Sequence, residues 1–294
     1  STLANMVIGV ATPMVAYVVV DGKTVMSGSR MTIIAGVFSI CAILCYIVCF
    51  KLTGERVEVP ASNQKISASA IFKSIFTNKA LLGIIVAAIF VLLSQLTVMS
   101  LAGYVYPNVY GSAAAQSTAS LLGTVVMLVV CAPFASKLSA KFGKKELAMG
   151  SSILSALVWL VCLIWRPASV WGFVACYILA NIGMGFFNTI IWAMITDVID
   201  DAEVRNGVRE DGTIYSVYSF ARKLGQAFSS GLVGALLGII GYTEATAFDP
   251  AVTRGIFNMA CIAPIIGFVC IVLALAFLYP LNKKKVEENV AELA

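Results

Sequence analysis

The chain has 294 residues, 60% hydrophobic and only 12% charged, with a mean hydropathy of +0.94. A water-soluble domain carries roughly 25% charged residues, so a surface this short of charge has lipid for much of its solvent. The net charge of +5 and the absence of histidine matter next: the first accords with a nucleic-acid partner only if the basic residues cluster for one, and the second excludes histidine zinc sites and Ser–His nucleophiles.

A helix needs about 20 apolar residues to cross about 30 Å of hydrocarbon. Apolar runs at 3–20, 31–50, 80–106, 117–135, 147–165, 171–195, 213–240 and 255–279 therefore predict eight spans. The first is the shortest and contains Pro13. Ser1 is not a start methionine, and residues are expected before it. The segments 51–79, 137–146, 196–212 and 280–294 hold fourteen of the twenty Lys and Arg residues, and the alternating segments hold four. The positive-inside rule makes the first set cytoplasmic and explains the basic balance without nucleic acid. The long connection 51–79, with Pro60 and an amphipathic piece at 71–76 suited to the membrane surface, separates two bundles. Residues 1–50 read as the last two spans of an amino-terminal bundle, 80–279 as a six-helix carboxy-terminal bundle and 280–294 as a cytoplasmic tail. Six-helix halves around a midplane site are the plan of facilitator carriers. The expected fold is an all-α, major-facilitator-type membrane protein with eight spans present of twelve, about four preceding Ser1.

Lys223 stands inside the seventh span, where a lysine costs roughly 2.5–3.5 kcal/mol on insertion scales. Ser216, Ser219, Lys223, Gln226 and Ser230 share its helix face at steps of three and four. The functional reading is a pore-facing helix with an ammonium near the substrate; the alternative is a lysine reaching the cytoplasmic interface. Arg222 points elsewhere, in a snorkelling or ion-pair role. Gly231, Gly234, Gly238 and Gly241 form a smooth side suited to close helix contact. In the sixth span Asn181, Gly185, Asn188, Trp192 and Thr196 form a stripe. Amides match sugar hydroxyls and an indole stacks on a pyranose, and buried amides without partners are expensive; interhelical hydrogen bonding is the alternative. Ser94, Gln95, Thr97 and Tyr104 add weaker polarity to the third span. Asp197, Asp200, Asp201, Glu203, Arg205 and Arg209 follow the sixth span, either as a solvated loop or as a cytoplasmic gate whose acids pair with the bases of a neighbouring bundle. The basic turn 137–145 bends at Gly143. The eight cysteines form no CxxC pair and read as small buried apolar residues. With no HExxH and no paired intramembrane aspartates, the chain does not read as an enzyme, and no metal or cofactor is expected.

The acidic stretch 195–203 and the Tyr218-Ser219…Arg222-Lys223…Gln226 helix at 212–226 resemble the glycoside–pentoside–hexuronide:cation symporter family, from its fifth span to its twelfth. The resemblance implies symport of a glycoside, oligosaccharide, pentoside or hexuronide with Na⁺ or H⁺, by a monomer in the plasma membrane, of the bacterial inner-membrane type. It implies that Lys223 lies near the sugar and cation sites, that Tyr218 and Ser219 contact sugar, and that Asp197 is the aspartate at the cytoplasmic end of the tenth span. Asn188 stands where the family's best-known member has a tryptophan, a departure bearing on galactoside specificity, with Trp192 one turn away. The substrate residues expected are then Lys223, Tyr218, Ser219, Asn188, Trp192, Asn181 and Gln226, and the gating residues Asp197, Asp200, Arg205 and Arg209. The family's cation-binding aspartates and main sugar-binding acids belong to its first four spans. Rival readings are a facilitator carrier for another solute (organic anion, drug or lipid) and a non-transporting sensor or scaffold of carrier ancestry.

Overall fold

A computed structural model describes residues 17–20, 23–26, 28–54, 78–207, 209 and 211–293. The chain divides into two compact units, Ser1–Lys65 and Ile66–Ala294.

In the first unit, β1 (Tyr17–Val20) and β2 (Lys23–Met26) pair antiparallel, Tyr17 opposite Met26 and Val20 opposite Lys23. This corrects the end of the predicted first span, 3–20: its last four residues are strand, and residues 1–16 lie outside the described residues. The reason is local. Val18, Val19 and Val20 are β-branched, and the intervening dipeptide, Asp21-Gly22 in sequence, is a favoured hairpin pair. Helix α1 (Gly28–Leu52) follows, long and apolar enough to cross a membrane. All its side chains but the half-buried Ile34 are exposed within the unit, Cys41, Cys45 and Cys49 included. These three are therefore not the buried residues expected, although thiols are apolar enough to face lipid. The predicted loop residues 55–77 lie outside the described residues.

Among its described residues the second unit is built of helices joined by short turns. Asn78 caps α2 (Lys79–Tyr104), its side chain accepting from Leu81 N at 3.1 Å. The helix widens into a π segment at Val105–Val109, around Pro107. After α3 (Ala113–Val126), a second π segment at Met127–Cys131 leads into α4 (Ala132–Phe142) just before Pro133. Proline lacks the N–H of a regular turn, and a π turn absorbs the mismatch without ending the helix. Gly143, at φ 103°, makes the expected bend into α5 (Lys144–Trp165). Helix α6 (Val170–Asn206) begins at a Ser169 cap and ends at Gly207, which has φ 68°. Then come α7 (Asp211–Ile239), α8 (Pro250–Phe277) and α9 (Lys283–Leu293).

Six of the predicted spans coincide with helices long and apolar enough to cross a membrane: α1, α2 with its π extension, the α3–α4 run, α5, α6 and α8. The seventh is α7, with 29 residues, long enough but made more polar by Arg222, Lys223 and its serines. At about 1.5 Å per residue, α6 is roughly 55 Å long, so its end projects beyond the hydrocarbon. In the core α2 packs on α7 and α8, and α5 on α6 and α8. Small residues set these distances: a Cβ on Gly183 would collide with the Ser151 carbonyl and the Ser155 hydroxyl of α5, and one on Gly225 would meet the Ile89 carbonyl of α2 at 2.9 Å. The predicted cytoplasmic tail is ordered as α9 and packs on α6.

Candidate functional site

Helix α7 buries Ile214, Tyr218, Ala221, Gly225 and Ser229 at steps of three and four. This stripe seats on α2, where Thr97 and Ser229 share a buried hydroxyl contact of 3.2 Å. Seating it fixes the rest of the helix. Ser216, Ser219, Lys223 and Ser230 are left exposed, and Gln226 is half-buried. The predicted polar face is therefore one open face of the unit. The predicted glycine contact does not form there: nothing described lies within 4 Å of a Cβ at Gly231, Gly234 or Gly238, and the close approach is made by Gly225. Periodicity puts these glycines on one side of the helix but does not supply a neighbour.

Beside this face stand α6 and α2. Asn188 donates to the Gln95 side chain of α2 at 3.4 Å. Each amide has further donors and acceptors, so the pair is tied in place with hydrogen-bonding capacity to spare. One turn on, the Trp192 indole is 50% exposed and meets the ring of buried Tyr218 edge-on, centroids 5.6 Å apart. Arg222 lies against both rings, 5.5 Å from Trp192 and 5.7 Å from Tyr218, and donates to the Tyr218 hydroxyl at 3.2 Å. Lys223 donates to Gln226 at 3.3 Å. Neither base makes an ion pair among the described residues. Arg222 thus contacts the Tyr218 hydroxyl and two rings, and the ion pair expected of it does not form among the described residues; i,i+4 spacing from Tyr218 is the signal that could have placed it, as such pairs are helix neighbours. Of the predicted substrate residues, Asn188, Trp192 and Tyr218 are brought together with Arg222, and Ser219, Lys223 and Gln226 continue the same open face. Asn181 stands apart, two turns before Asn188, and bonds the Tyr177 carbonyl at 2.7 Å. No group of histidine, cysteine or acidic side chains among the described residues could hold a metal.

At the end expected to be cytoplasmic the acids have partners within the same unit. Buried Asp197 takes Lys144 of α5 at 2.5 Å. Fully buried Asp201 accepts from Asn289 of α9 at 3.1 Å and faces the Arg205 guanidinium at 2.8 Å. Arg209 reaches Glu203 at 2.7 Å, and Asp200 and Asp211 at 3.1 Å; the Glu203 hydrogen bond above all raises its pKa above the ordinary arginine value. Lys145 donates to the Tyr279 carbonyl at 2.6 Å, and Lys283 to that of Ala140 at 2.9 Å. The four predicted gating residues thus fall into three separate clusters: Asp197 with Lys144, Arg205 with Asp201 and Asn289, and Asp200 with Arg209, Glu203 and Asp211; Lys144 and Asn289 are the partners that the sequence reading left out. Lys144 was visible in the basic turn, but nothing local links it to a residue 53 positions on.

The family model described as MFS/sugar transport protein matches residues 1–283. The chain is 28% identical over 260 residues to the glucuronide carrier protein homolog of Escherichia coli (strain K12), which covers 87% of this chain and 56% of that protein. It is 29% identical over 269 residues to the uncharacterized symporter YjmB of Bacillus subtilis (strain 168), with coverages of 89% and 57%. It is 25% identical over 284 residues to the isoprimeverose transporter of Lactiplantibacillus pentosus, with coverages of 95% and 58%. The chain spans little more than half the length of these curated relatives.

Proposed function

We infer the function from one premise: the chain belongs to the MFS/sugar transport protein family and is a multi-pass protein of the plasma membrane. The whole carrier is a cation-coupled symporter, driven by Na⁺ or H⁺, that takes up a glycoside, oligosaccharide, pentoside or hexuronide. Within that range the preferred solute is an acidic glycoside, such as a hexuronide.

The observation that carries this reading is the open face formed by α2, α6 and α7. It offers a half-exposed indole to stack on a sugar ring, a tethered amide pair to read hydroxyls, and two basic side chains with no carboxylate partner among the described residues. An acidic sugar would supply the missing anion, and a charge-assisted hydrogen bond contributes about 1.5–3 kcal/mol. The same two charges repel a metal cation, so the coupling ion would bind elsewhere in the carrier. The relatives named for a glucuronide and for isoprimeverose support a sugar as the solute.

The test is uptake by the protein as the cell makes it, reconstituted in vesicles under an imposed Na⁺ or H⁺ gradient. Expected is accumulation of a glucuronide ahead of a neutral galactoside or xyloside, abolished by Lys223→Ala with membrane insertion unchanged. No accumulation of any glycoside under either gradient would refute the symport reading. Full uptake by Lys223→Ala would remove Lys223 from the site.

A further inference from the structure

Two arginines stand at the end of the second unit where the positive-inside rule expects the fewest basic residues. Arg166 ends α5 and Arg254 lies early in α8, and both line one cavity of about 360 Å³ with Val109, Tyr110, Pro167 and Thr253. No acidic residue among the described residues lines it. Neither guanidinium makes an ion pair among the described residues; Arg166 donates only to the neutral Asn258 side chain, at 3.1 Å. At the cytoplasmic end, by contrast, Lys144, Arg205 and Arg209 each face a carboxylate.

The walls of this cavity are tied together. The Tyr110 hydroxyl donates to the Pro167 carbonyl at 2.9 Å, joining the end of α2 to the α5–α6 turn. Arg166 has φ 48° and ψ 66°, a left-handed conformation uncommon for any residue but glycine, and glycine is the usual helix-ending residue there. Such strain persists only where the surroundings hold it, and it clusters at ligand-binding positions. Helix α8 starts at Pro250, also in the lining, which brings the positive end of its dipole to the cavity. Trp165 and Trp171 flank the same turn, 60% and 58% exposed. Indoles with an exposed face gather where acyl chains meet headgroups, which sets the cavity at headgroup depth.

We propose that this cavity binds the phosphate of an anionic phospholipid headgroup in the extracytoplasmic leaflet. Two guanidiniums from separate helices suit a phosphate, which each can hold through paired N–H donors. The absence of any lining carboxylate leaves nothing to hold the ammonium of a zwitterionic lipid, so phosphatidylglycerol is favoured over phosphatidylethanolamine. The site uses none of the residues assigned to the sugar and stands whether or not that assignment holds.

The test takes the purified protein as the cell makes it, in a neutral detergent. Phosphatidylglycerol, phosphatidylethanolamine or glycerol 3-phosphate is added at equal phosphate concentration. Retained lipid is counted by native mass spectrometry and the thermal midpoint is recorded. Phosphatidylglycerol should be retained preferentially and raise the midpoint, and Arg254→Gln and Arg166→Gly should each weaken retention about tenfold, as loss of one charged contact does. Arg166→Gly relieves the left-handed backbone, so without lipid its midpoint should equal or exceed that of the parent, which separates lost binding from lost folding. Equal retention of the two lipids, or undiminished retention by both variants, would overturn the proposal. Glycerol 3-phosphate protecting as well as phosphatidylglycerol would overturn it too, in favour of a soluble oxyanion site.

Discussion

Arg222 is held by two rings and a phenol hydroxyl, and all three contacts leave its charge unneutralised. An acidic sugar reaching Trp192 would meet that charge first. Arg222→Gln should therefore raise KM for a glucuronide by roughly 10- to 100-fold, the loss of one charged hydrogen bond. KM for a neutral glycoside should stay within a few-fold, and competition assays with the two sugar classes check this. Equal losses for both classes would mean that Arg222 only props the Trp192–Tyr218 pair. The sequence disclosed much at this scale: the stripe on α6 and the serine–lysine face of α7 are visible in spacing alone, because side chains three and four apart share a helix face. Spacing does not say how a helix is rotated against its neighbours. That rotation is set by Gly225 meeting Ile89 and by Ser229 meeting Thr97, and it turned Arg222 toward the aromatic pair.

Helix α9 shows what one element adds. Its sequence is mostly charged and reads as a solvated tail, yet Asn289 is buried and donates to Asp201. Amphipathic spacing could have suggested a helix; the partner, 88 residues away, could not be read from the chain. Asn289→Leu should leave a buried carboxylate oxygen without its donor and cost about 1–3 kcal/mol, seen as a lower thermal midpoint and faster amide exchange across α9. Asn289→Asp sets two carboxylates together, so one holds a proton to a higher pH than it does unfolded. A raised folded-state pKa gives stability at low pH that is lost as pH rises. The variant should thus be most stable in acid and weaken toward neutrality, and a midpoint that does not change with pH would count against the Asn289–Asp201 contact. The π segments near Pro107 and Pro133 were equally hidden, since proline marks an irregularity without saying whether the helix ends or widens.

Across the whole molecule, hydropathy located six spans, because length and apolarity are what a bilayer demands, but it ended the fourth and sixth well short of Phe142 and Asn206, where the helices continue into polar sequence. It misread Tyr17–Val20, where β-branched residues beside an Asp-Gly pair look as apolar as a helix does. The basic residues orient what remains. Cysteine at Ala168, in the α5–α6 turn, should react with a membrane-impermeant thiol reagent in intact cells, and cysteine at Lys284 only after lysis; the opposite pattern would invert the topology. One feature then ties the two ends of the second unit together. Helix α6 runs from Val170 to Asn206 with no proline and no π turn, carrying Asn188 and Trp192 near its middle and Asp197 and Asp201 toward its end. A rod without a joint is suited to act as a lever: if solute binds at its middle as proposed, a tilt there would carry to the carboxylates at its tip, and release of Lys144 would carry back to the indole.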